Sequence, residues 1–213
     1  MNRIRDVDGL FRYCLFPTSF SRRRFVEAKF LKLYDQEDGS LLASVAWERY
    51  VPSLKLVHEY GCRISSRINE RLRAASKFNS KTRNVYCGAY RLVANRIRAL
   101  GDTEGLDEVL SADVVHHPED GEIAHTDLRI VLETGEYDRE ATKTAIVDRL
   151  WNECTGPIKH ACECDLDVQE HPSIELPVPP RGTYLDQRSL INRFWQIAQF
   201  HICQWWLSRK TKK

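Results

Sequence analysis

Two pairs of apolar runs, each pair parted by a short polar segment containing Gly, constrain this chain more than any other feature. Residues 25–34 (FVEAKFLKLY) and 41–51 (LLASVAWERYV) are separated by Asp35, Gln36, Glu37, Asp38 and Gly39. Residues 109–117 and 123–132 are separated by Pro118, Glu119, Asp120 and Gly121. Apolar residues at every second position place one face of a strand in a core. A Pro-led, Gly-ended turn closes two such strands into a hairpin. In the second run Leu41, Ala43, Val45 and Trp47 share a face. In the last run Ala124, Thr126, Leu128, Ile130 and Leu132 make the core face, and Ile123, His125, Asp127, Arg129 and Val131 make the other.

Helical spacing appears in three places. After Pro52, Ser53 is placed as an N-cap. Leu54, Val57, Cys62, Ile64, Ile68 and Leu72 then fall near one face, opposite Arg63, Arg67, Glu70, Arg71 and Arg73, and the helix ends near Ala75. Residues 138–154 repeat the pattern, with Ala141, Ala145, Ile146, Leu150 and Trp151 inward. Residues 186–208 do so with an aromatic-rich face. Residues 85–100 fit either strand or helix. Residues 155–183 hold five of the eight prolines (Pro157, Pro172, Pro177, Pro179 and Pro180) and read as a loop. The expected fold is one α+β domain across 1–213. Its antiparallel or mixed sheet is built from two hairpins and covered by about three helices.

Composition excludes some functions. The apolar fraction of 42% is that of a folding chain. With 32 basic and 30 acidic side chains the net charge is only +2, too weak a field for general nucleic-acid binding. Only the run Arg22, Arg23, Arg24 and the Lys-rich tail keep that class open. No apolar stretch approaches the roughly 18 residues of a membrane span, and the opening residues lack a signal-peptide core. A cytoplasmic location is expected. There the seven cysteines default to free buried thiols.

Eight of the fourteen Cys and His residues crowd between positions 116 and 171. His117 and His125 flank the Pro118–Gly121 turn, and Asp127 shares a face with His125. Two imidazoles and a carboxylate suit a metal ion or a general base. Cys154, His160, Cys162 and Cys164 offer a second donor set for zinc, although Cys-x-Cys is not the usual zinc knuckle. The acids Glu119, Asp120 and Glu122 sit in a turn and are expected to be solvated. Arg12, Ser44 and Glu122 resemble the Arg, Ser and Glu that ADP-ribosyltransferases bring together from separate strands. The blocks 10–12, 42–45 and 116–128 resemble a layout of small bacterial proteins of unassigned activity.

No complete catalytic set emerges. The leading expectation is therefore a non-enzymatic accessory protein in a bacterial complex, with no cofactor. It would bind a protein partner through Phe194, Trp195, Trp205 and Trp206, since Trp is enriched at interface hot spots. The alternatives are a metal-dependent hydrolase or transferase using His117, His125 and Asp127, with zinc as the ion, or a nucleic-acid-binding protein.

Overall fold

In the computed structural model of the chain, residues 3–21, 24–79, 81–119, 122–159 and 176–180 are described. Among them are nine strands: β1 (Gly9–Phe16), β2 (Phe20–Ser21), β3 (Arg24–Phe25), β4 (Tyr34–Asp35), β5 (Leu41–Trp47), β6 (Val85–Val93), β7 (Val109–His116), β8 (His125–Leu132) and β9 (Thr155–Lys159). Three α-helices accompany them: α1 (Leu54–Ala74), α2 (Ala94–Arg98) and α3 (Arg139–Glu153). The class is α+β. Seven strands form one antiparallel sheet in the order β7-β8-β5-β1-β6-β9, with β4 also paired to β5. None of the described helices is long and apolar enough to cross a membrane.

Near the middle of the sheet is β1, a run without apolar alternation. Its run GLFRYCLF is buried on both faces, so apolar residues occupy consecutive positions. Leu10 and Cys14 enter one core, while Phe11, Tyr13 and Leu15 enter the other. Residues 25–34 do not form the strand expected there. Phe30 and Leu31 are both fully buried in the same core. Neighbours on a strand point to opposite faces, so the chain turns through a 3₁₀ segment at 27–29 to bury both. Only Tyr34 and Asp35 then pair with β5. β1 and β5 part beyond Phe11 and Ala46, and Arg12 fills the gap. Its guanidinium donates to the carbonyls of Phe30 (3.0 Å) and Ser44 (2.9 Å).

The ambiguous stretch 85–100 is a strand followed by a helix. β6 runs to Val93, and α2 starts where the N–H groups of Ala94 and Asn95 donate to the carbonyls of Asp8 and Asp6. These bonds satisfy two donors that a helix start leaves open. At α3, Asp138 caps the first turn by accepting from Glu140 and Ala141. Thr142, Ile146, Val147, Leu150 and Trp151 are its buried residues, and Ala141 is exposed. Residues 155–159, expected as loop, form β9 and pair with β6. Residues 176–180 carry no strand or helix. They are fastened by buried Leu176 and by Tyr90, whose hydroxyl donates to the Pro177 carbonyl.

α1 has the expected Ser53 cap, which accepts from Leu56 N–H, and it ends at Ala75. Its buried face is not the expected aliphatic stripe. It comprises Val57, His58, Tyr60, Gly61, Ser65 and Asn69, while Cys62, Ile64 and Ile68 are half-buried. The reason is close approach. A Cβ on Gly61 would sit 2.6 Å from the Tyr86 ring, so only glycine lets the helix down onto the sheet. The polar groups brought in are paired: the Asn69 amide donates to the Asn84 carbonyl and accepts from its N–H. α1 lies chiefly over β6 and β1. On that side of the sheet the β7-β8-β5 portion carries an open groove.

Gly61→Ala tests this contact. Helix propensity alone favours Ala by about 1 kcal/mol, yet overpacking against Tyr86 should outweigh it. The expected net loss is about 1–2 kcal/mol. It would be read as a lower urea midpoint at unchanged slope; an equal or higher midpoint would show the ring yields freely.

Candidate functional site

The site begins with the register of β8. Ser44 of β5 and Val115 of β7 both face Asp127, and Ala46 faces His125. Directly opposed residues share a face. His125, Asp127 and Arg129 therefore lie on the side of the sheet away from the buried Thr126, Leu128 and Ile130. The ladder continues one step past β7, where His117 N–H donates to the His125 carbonyl at 3.2 Å. This places His117 across from His125, with ring centres 6.2 Å apart. A bridge between Glu119 and Glu122 tightens the connection.

These residues form one polar cluster. His117 Nδ1 donates to Asp127 Oδ2 at 3.0 Å. His125 Nε2 lies 3.2 Å from Asp127 Oδ1 and 3.6 Å from Glu119 Oε1. His125 Nδ1 lies 3.8 Å from Glu122 Oε2. Arg67 of α1 forms an ion pair with Glu122. His125 and Asp127 are mostly covered (side chains 12% and 16% exposed), whereas His117 is open to solvent. The hydrogen bond to Asp127, working against desolvation and helped by Glu119 and Glu122, raises the pKa of His125. For Asp127, burial opposes ionisation, but the hydrogen bonds from His125 and His117 together outweigh it and hold the carboxyl below its ordinary range.

Two overlapping donor sets result: His117, His125 and Asp127, and Glu119, Glu122 and His125. In each, one ligand atom per residue lies within 4.8 Å of the others. A tetrahedral ion with bonds near 2.0–2.1 Å separates its ligands by about 3.3 Å. The His125–Asp127 and His125–Glu119 spacings are already close to that. Beside the cluster a groove of about 500 Å³ runs over the sheet, lined among others by Asp38, Leu42, Val115, His117, Asp127 and Arg129. The groove is open to solvent along its length rather than enclosed.

Among the turn acids, Glu122 is not the solvated group that the sequence suggested. Glu122 is only 13% exposed and faces both Arg67 and His125. The spacing Glu119-x-x-Glu122-x-x-His125 was the available signal. Nothing local pointed to Arg67 or to the wall around Asp38. His116, next to His117, turns to the opposite face, stacks on Tyr50 and meets the carbonyl of Ile123 at 2.8 Å. Arg12 reaches Ser44 only at its carbonyl. Cys154 is fully buried at the end of α3 and donates to the Trp151 carbonyl at 3.1 Å, and burial pushes its thiol pKa up. His160, Cys162 and Cys164 lie outside the described residues, as do Phe194, Trp195, Trp205, Trp206 and all of 186–208.

No protein-family model, no curated protein and no solved structure matches this chain.

The His125–Asp127 pair makes stability depend on pH. The raised His125 pKa gives stability that is full below the unfolded value of about 6.5 and is lost as pH rises through the folded value. The lowered Asp127 pKa gives stability present above about 3.9 and lost as pH falls through the folded value. The advantage of the native chain over His125→Gln should therefore peak between about pH 4 and 6.5 and shrink toward pH 9. Thermal unfolding in a pH series reads this; a difference independent of pH would show that the pair is not coupled.

Proposed function

We propose that this hairpin site binds a divalent transition metal, zinc foremost, and uses it for hydrolysis or group transfer on a small molecule in the groove. One observation carries the reading: two imidazoles and a carboxylate converge at the groove rim with ligand-like spacing. His117, His125 and Asp127 would hold the ion, leaving a fourth position open to water or substrate. Glu122, on the far side of the His125 ring and held by Arg67, would orient that imidazole, a carboxylate–histidine–metal relay. A bound ion would polarise a substrate oxygen or lower the pKa of a water.

Metal analysis and calorimetric titration of the full chain test this. About one zinc per chain is expected, with affinity falling at least tenfold in His125→Ala. Uptake requires neutral imidazoles, so affinity should fall as pH drops through the raised His125 value. Metal kept by a His117→Ala/His125→Ala double variant but lost from Cys162→Ser would move the ion to the 154–164 cysteines and end this reading.

A second reading comes from sequence alone. Three of the five tryptophans, Trp195, Trp205 and Trp206, fall in 186–208, which supports binding of a protein partner there. Deleting 205–213 should then abolish complex formation while the far-UV spectrum persists; an unfolded product would count against it.

A further inference from the structure

We infer that the groove is an oxyanion subsite, completed by Arg129 only after a metal ion is in place, and that its ligand is a small molecule with a phosphate or carboxylate end. This rests on the metal reading above. Arg129 lies two residues beyond Asp127 on β8, on the same face, and both line the groove. Two residues of strand span about 6.8 Å. The long Arg129 side chain starts close enough to Asp127 for its guanidinium to meet an oxyanion held there. The planar fork of Arg matches phosphate and carboxylate alike.

Charge sets the order of binding. Without an ion, Glu37, Asp38 and Asp127 outnumber Arg129 among the charged groove residues, His117 aside. An anion is repelled from such a surface. A dication bound to Asp127 removes that excess. Arg129 is meanwhile paired with Asp38, both side chains 51% exposed. Exposed pairs of this kind are weak and readily exchanged. Asp38 does not depend on it, because its other carboxylate oxygen accepts from Ser40 N–H (3.0 Å) and Ser40 Oγ–H (2.6 Å). Arg129 can therefore turn to a ligand and leave Asp38 satisfied.

The test uses the full chain, Mn²⁺ as the ion, and inorganic phosphate and acetate as separate probes, followed by relaxation of their ³¹P and ¹³C signals. A parallel titration measures Mn²⁺ affinity. Phosphate or acetate should bind the Mn²⁺-loaded chain and not the metal-free chain. Arg129→Gln should weaken the anion at least tenfold with Mn²⁺ affinity unchanged, and Arg129→Lys should recover part of the loss. Whichever probe binds more tightly identifies the ligand's charged end. Equal anion affinity in Arg129→Gln, or none in the metal-loaded native chain, overturns the subsite while leaving the metal centre standing. Should Zn²⁺ bind and Mn²⁺ not, the same Arg129→Gln comparison is read by calorimetry on the Zn²⁺-loaded chain; failure of the native chain to take up either ion overturns both.

Discussion

Everything at the candidate site depends on the register of β8 between β5 and β7. Side chains alternate along a strand with a period of two, so a slip of one residue exchanges the faces completely. Thr126, Leu128 and Ile130 would go to the groove, and His125, Asp127 and Arg129 would enter the core. The first set is fully buried. The second carries three ionisable groups that no apolar core accepts unpaired. The hydrophobic term and the desolvation term thus select the same register. The polar cluster is fixed by the packing behind it as much as by its own hydrogen bonds.

The sheet's two sides are built differently. One is a continuous apolar layer in which Phe30, Tyr90 and Trp151 meet edge-on. The other is narrower and more polar. There α1 brings His58, Ser65 and Asn69 against the sheet, and Arg91 lies buried in an ion pair with Glu48 at 2.7 Å. That pair crosses Gly9, where any Cβ would collide with both partners. Buried ion pairs contribute little net stability, yet removing one partner is costly. Such a side tolerates polar groups at its rim, and the rim is where His125 and Asp127 sit.

How much was legible follows from the kind of signal each element carries. β7 and β8 have one covered face and show alternation, as does β5 up to Val45. α1 and α3 carry caps, Ser53 and Asp138, whose chemistry is local. β1 carries neither signal, since burial on both sides erases alternation. Residues 25–34 mislead because their apolar positions alternate in sequence while Phe30 and Leu31 must share one core. At the site, His117, His125 and Asp127 were readable because a short turn brings them together. Glu122 was misread as a solvated turn acid because its partner, Arg67, comes from a distant helix. The groove wall at Gln36–Ser40 was invisible for the same reason: only the sheet brings it beside β8.

This difference in origin has a kinetic side. β1 pairs with β6 far along the chain, Leu10 facing Leu92 and Tyr13 facing Ala89. β6 in turn pairs with the distant β9, Ala89 facing Ile158. Closing such long loops costs entropy before any contact offsets it, and chains rich in distant pairings fold slowly. The β7–β8 ribbon needs only a short loop, and isolated hairpins form in about microseconds. On a nascent chain the two imidazoles and their carboxylate can meet early. Arg67 of α1, which steadies Glu122, and the wall at Asp38 reach the site only through contacts between distant parts of the chain, which carry the larger loop-closure cost.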